Sequence, residues 1–132
     1  MAAILDKKLV GMEFPNAQII HRAVYDFSVD AGAVGALEVF EATQDVVVLS
    51  CFAHVKTTCT SGGLATLAFG VDADPDTLID ETAVASLSAG ALIPAIAFTP
   101  VKVASGSKLK MNIATDTLTA GKVEFVIVLA KF

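Results

Sequence analysis

The chain has 132 residues and a mass of 13.6 kDa, enough for one domain and no more. Hydrophobic residues make up 55%, charged residues 17%, and the mean hydropathy is +0.70. Ordinary soluble domains carry nearer ~25% charge, so the composition excludes a disordered tail and argues against a freely solvated monomer. A net charge of -5 and a pI of about 4.8 leave no basic excess to neutralise phosphates, so no nucleic-acid partner is expected.

The chain begins Met1-Ala2-Ala3-Ile4-Leu5-Asp6-Lys7-Lys8. Charge follows the apolar residues, the reverse of a secretory signal, which predicts synthesis in the cytoplasm. Gly11 and Pro15 interrupt any regular element here. Ile4, Leu5, Val10, Met12 and Phe14 are apolar residues without a partner face. Residues 1–16 therefore read as an N-terminal arm that packs on a neighbouring subunit, and 17–132 as a single β-sandwich domain. The competing reading is a first strand of that same sandwich.

Ile19 to Val29 alternates, with Arg22, Asp26 and Ser28 on one side and Ala23, Tyr25, Phe27 and Val29 on the other. A short strand, Leu37 to Glu41, follows the Ala31-Gly32-Ala33-Val34-Gly35 stretch. Val46 to Thr57 is the clearest strand, rich in β-branched residues. Its expected core face is Val47, Leu49, Cys51, Ala53 and Val55, leaving Val46, Val48, Ser50, Phe52, His54 and Lys56 outward. Leu64 to Val71 follows a Ser61-Gly62-Gly63 turn. Short strands are expected at Ala83 to Leu87 and Pro100 to Val103. Lys108 to Ala114 alternates cleanly, and Val123 to Ala130 closes the chain after a turn at Ala120-Gly121. Seven or eight short strands between turn signals indicate an all-β sandwich or closed barrel. Ser86-Leu87-Ser88-Ala89-Gly90 echoes Thr117-Leu118-Thr119-Ala120-Gly121, which predicts two similar loops.

The uncharged stretch Thr82 to Val101 contains Gly90, Pro94 and Pro100, which suit buried strand and loop rather than a membrane helix; no membrane partner is expected. Cys51 and Cys59 lie eight residues apart along one extended segment, ~26 Å at strand rise. A disulfide needs Cα atoms within about 7 Å, so both read as reduced, buried thiols. Cys51 and His54 fall on opposite faces of the strand and cannot form a local nucleophilic dyad. The histidine and cysteine spacings match no zinc pattern.

Asp72-Ala73-Asp74-Pro75-Asp76, with Asp80 and Glu81, resembles the opening of a calcium loop. Thr77 then stands where an EF-hand needs glycine, and Ala83 where it needs a bidentate glutamate. A solvated acidic loop is the expected reading, with Asp72, Asp74 and Asp76 the carboxylates that a site of another kind would use. Ser61-Gly62-Gly63 and Ser105-Gly106-Ser107 lack the sequel of a phosphate loop. No catalytic, cofactor or metal site is expected. Five lysines (Lys102, Lys108, Lys110, Lys122 and Lys131) follow residue 100, while acids dominate between Asp26 and Glu81. The fold either separates these charges into two poles or interleaves them.

The order of segments carries one more signal. Gly32-Ala33-Val34-Gly35 leads into Leu37-Glu38-Val39-Phe40, and a valine-rich strand then ends at Thr57-Thr58. Next come a glycine turn, Leu67-Ala68-Phe69-Gly70-Val71, and Thr82 to Gly90. The chain closes on a lysine-flanked strand and Leu118-Thr119-Ala120-Gly121-Lys122-Val123-Glu124-Phe125. Over roughly residues 30–130 this arrangement resembles small virion structural proteins of tailed bacteriophages, of the capsid decoration or cement type. The resemblance implies an antiparallel, jelly-roll-like β-sandwich of about eight strands, commonly trimeric, bound to the outside of a phage head. It implies the major capsid protein as partner, a virion location and no enzyme activity. The acidic stretch Asp72 to Asp76 departs from that pattern. The alternatives are a neck, tail or baseplate component, and a receptor- or carbohydrate-binding module. The last is disfavoured by a chain with no Trp and only Tyr25.

Overall fold

A computed structural model describes residues 18–71, 74–95 and 100–131. The strands are β1 (Gln18–Asp26), β2 (Gly35–Glu41), β3 (Val46–Ser61), β4 (Thr66–Val71), β5 (Asp74–Ala83), β6 (Leu92–Pro94), β7 (Val101–Val103), β8 (Lys108–Ala114) and β9 (Leu118–Lys131). They form two antiparallel sheets. The first runs β1-β9-β3-β6, with β7 also on β3; the second runs β2-β8-β4-β5. The sheets are separate, so the closed barrel, one of the two architectures expected, is not formed. β6 pairs with Phe52–His54 and β7 with Val46–Val48, so the two short strands follow each other along one side of β3.

The alternating faces of β8 and β9 explain the core. Leu109, Met111 and Ile113 point inward from β8; Val123, Phe125, Ile127 and Leu129 point inward from β9. Phe69 of β4 stacks on Phe125 across the sheets at 4.8 Å between centroids, a contact worth ~1 kcal/mol beyond the area that the rings bury.

β3 departs from simple alternation. Cys51, Ala53 and Val55 face the core as expected, but so do Val46 and Val48, where Val47 and Leu49 were the expected core residues. The register against β9 shifts between Val48 and Ser50. That bulge adds a residue to β3 and reverses the parity of everything before it.

Other differences have local causes. The first expected strand ends at Asp26, whose carboxylate accepts a 3.0 Å bond from the Ser28 backbone N–H and caps a one-turn helix, α1 (Phe27–Asp30). The expected acidic loop is, from Asp74 onward, strand β5. Its polarity is that of a sheet edge, and it packs closely because the absent Cβ of Gly70 leaves room for the Asp74 and Pro75 backbone. Val84–Ser86 is a 3-10 turn where a strand was expected, and Leu92–Pro94 is a strand where none was.

The expected turn at Ala120-Gly121 does not exist, because β9 runs straight through it. Gly121 has φ +139, and a Cβ there would lie 2.5 Å from Cys59 Sγ. Glycine is used at this point for close approach of β3 to β9, not for a bend. Gly90, its counterpart in the sequence echo, does sit in a turn with φ +90. The two echoing segments are therefore not similar loops.

Candidate interaction surface

The arm residues Ile4, Leu5, Val10, Met12 and Phe14 lie outside the described residues, as does Asp72. The other candidates are placed. Cys51 and Cys59 are both free and buried on β3. Burial pushes the Cys51 thiol up to about 11 and raises that of Cys59 as well, which leaves both protonated and unreactive at neutral pH. His54 lies opposite Glu124 and Leu92 on the outer face, across the sheet from Cys51. Asp74 is exposed and Asp76 half-buried, and they share a hydrogen bond; it holds the Asp74 carboxyl down and pushes that of Asp76 up. Among the described residues no three His, Cys, Asp or Glu side chains converge as metal ligands.

What the two sheets do assemble is a difference between their outer faces. The second sheet presents Glu38, Lys108, Lys110 and Asn112, with the glutamates of β2 opposite the lysines of β8 in register and Lys108 Nζ 2.9 Å from Glu38 Oε2. The first sheet presents Ile20, Val24, Val128, Phe52 and Leu92 on neighbouring strands, with Val126 buried between them on the same side. Ile20 is 61% exposed and Leu92 65%. Five charges on this face are drawn to one another. Arg22 and Lys56 reach Glu124 at 3.6 and 3.7 Å, and Lys122 reaches Asp26 at 3.9 Å. Exposed pairs of this kind contribute little to stability, ~0–1 kcal/mol each. Their effect is to leave the face nearly neutral, with apolar rows on both sides of the paired charges.

Of the two arrangements open from the sequence, poles or interleaving, the strands take the second, because β8 lies between β2 and β4 and β9 between β1 and β3. A second apolar feature was missed. Val29 of α1 and Val34 and Leu64 of the neighbouring loops are exposed. Those loops are tied together by Leu118 N donating to Gly32 O at 2.9 Å and Ser61 Oγ donating to Thr117 O at 2.7 Å. Val29 and Leu64 read as the ends of expected strands and Val34 as part of a glycine-rich stretch, so nothing in the sequence joins the three.

Neither a family model nor a curated protein sequence matches the chain. Solved structures do. A chain of the capsid asymmetric unit of cyanophage Pam1 superposes with TM-score 0.67 at 15% identity, covering 94% of this chain and 91% of that one. A chain of the acid-stable capsid of Helicobacter pylori bacteriophage KHP30 superposes with TM-score 0.64 at 8% identity, covering 89% and 90%. The chain shares its fold with chains of two phage capsids. The overlap takes in nearly the whole of each partner, so both are small chains of about this size. At this identity the common property is architecture, and no residue-level role passes between them.

Proposed function

We propose that this chain is a non-enzymatic structural protein of a phage virion, a cement or decoration protein that coats the outside of the head and bridges neighbouring capsid subunits. The observation that carries the reading is the fold shared with two capsid chains over about nine-tenths of their length and its own. The neutral, apolar outer face of the first sheet supports it, since adhesion needs buried surface and no reaction chemistry. In this reading β6 and β7 are one interrupted strand, which leaves eight strands in two sheets of four. The last strand then lies beside the first and the next-to-last beside the second, the double Greek key of a jelly roll.

The assembled unit is a homotrimer and the partner is the major capsid protein. Residues 1–16 are the arm, with Ile4, Leu5, Val10, Met12 and Phe14 its contact residues. The mechanism is repetition: a standard interface of ~1,600 Å², occupied at many sites on one shell, resists outward pressure through avidity. Removing residues 1–16 should abolish binding to shells that lack the protein while circular dichroism stays that of a folded β-protein. Unchanged occupancy of the truncated chain on the shell overturns the arm's role. A higher-order ring in negative-stain images, in place of a closed trimer, moves the protein to the neck or tail.

A further inference from the structure

The four edges of the two sheets are not equally defended. An open strand edge offers unpaired backbone groups to any passing chain, and proteins guard it with short strands, bulges, proline or charge. β6 and β7 are three residues each, and β6 ends in Pro94. β5 carries Pro75, Asp76, Asp80 and Glu81, with two register shifts against β4. β2 has a register shift between Glu38 and Phe40 and two glutamates.

β1 is not short and has no proline and no bulge, and its charges, Arg22 and Asp26, are drawn to Glu124 and Lys122 of β9 on the side away from the open edge. Its nine residues pair with β9 in unbroken register, and among the described residues nothing pairs with its other side. Its outward side chains include Ile20 and Val24, with Arg22 already drawn to Glu124.

A second observation points to the same edge. The rims of the two sheets meet where His21 packs edge-on against Phe40 at 4.9 Å. Beside that contact they part to leave a cleft of about 130 Å³ between β1 and β2, floored by Leu37, Val39, Met111 and Phe125. An added strand along β1 sends every second side chain toward this cleft.

The chain itself contains a segment of matching chemistry. Seventeen residues precede Gln18, and within them Val10, Met12 and Phe14 alternate with Gly11 and Glu13, the pattern of a strand with one apolar face. Folding back onto its own β1 would require Pro15, Asn16 and Ala17 to close a three-residue hairpin. Such a loop places its last residue in the left-handed conformation that favours glycine, and that position is Ala17. Proline also biases the residue before it, Phe14, toward extended backbone. The segment is thus better suited to travel away from its own β1 than to double back.

We propose that the free edge of β1 accepts residues 9–14 of a second copy of this chain as an added strand, with Met12 or Phe14 filling the cleft between β1 and β2. This deepens the arm reading above by naming the arm's receptor, and it concerns association between copies in the absence of any shell.

The test uses full-length chains. Met12→Pro breaks the donor strand and Val24→Lys guards the acceptor edge. By light scattering the unmodified chain should self-associate, and each variant alone should fall to monomer mass. The two variants mixed should restore association, because one keeps the acceptor and the other the donor. Hydrogen exchange in β3 and β9 reports that each variant is folded, and Ile20→Lys repeats the acceptor arm should Val24→Lys unfold. An unmodified chain that stays monomeric overturns the proposal, as an intramolecular strand would require. So does association that survives Met12→Pro, the signature of β1 pairing with β1 of another copy. A mixture that fails to associate overturns it too. Loss of shell binding with this exchange intact would instead count against the cement reading alone.

Discussion

Gly121 and Cys59 show how closely one position can be specified. The thiol occupies the space in which any side chain at 121 would begin, and the backbone there has φ +139. Gly121→Ala therefore meets two obstacles: overpacking against the sulfur and a conformation that L-residues rarely adopt. Together these should cost on the order of 3 kcal/mol in urea unfolding. Adding Cys59→Ala to that variant should recover the steric part and leave the backbone part, so the double variant should unfold between the two. A double variant no better than Gly121→Ala would mean that backbone strain accounts for the whole cost. This pairing was not legible in the sequence. Alanine-glycine before a strand looks like a turn, and the sulfur that requires the glycine comes from a residue 62 positions earlier.

Among the elements, β8 was fully legible, because both its faces obey one rule from Lys108 to Ala114. β3 was legible in existence but not in orientation. A bulge adds a residue without leaving a residue type as its signature, and the all-valine start gave no polar residue to mark the outer side. β5 was read as a loop for a physical reason. Asp76, Asp80 and Glu81 are unfavourable strand residues in general but effective guards on an edge. Removing that guard should have a consequence of its own. Replacing Asp80 and Glu81 with valine should leave the core untouched, since both side chains are exposed, yet raise concentration-dependent aggregation as seen by light scattering. Unchanged solubility would mean that Pro75 and the register shifts protect the edge by themselves. β1 makes the contrast. Its apolar alternation was plain in the sequence, but the openness of its edge depends on which strands become its neighbours.

The whole molecule depends on three groups that must stay protonated inside it. Cys51 is pushed from 9.0 to about 11, chiefly by burial, and Cys59 is raised for the same reason. Tyr25 is pushed from 10.0 to about 12, again mainly by burial. The folded chain holds these protons more tightly than the unfolded one. Their contribution is thus fully present below pH 9 and is lost as pH rises through 11 to 12. The urea midpoint should fall across that window, and Cys51→Ala should flatten the decline while lowering the plateau. A midpoint independent of pH there would mean that these groups ionise equally well in the folded chain. Tyr25 also donates to Ala31 O at 2.6 Å, at a residue with φ +61, so its ionisation removes one of the bonds that hold the loop after α1. The all-β class and the excess of apolar surface were legible from composition and alternation. The distribution of that excess, concentrated on one face of one sheet, was not, because it follows from strand order rather than from any local pattern.

Strand order has a further consequence in time. β9 lies between β1 and β3, and β8 between β2 and β4. Each sheet is therefore held together by a strand drawn from the last 25 residues of the chain. During synthesis neither sheet can close until those strands have left the ribosome, and the earlier strands wait with their apolar faces unburied. Such non-local pairing is slow to form. Until β8 and β9 are in place the earlier strands are at their most prone to aggregate.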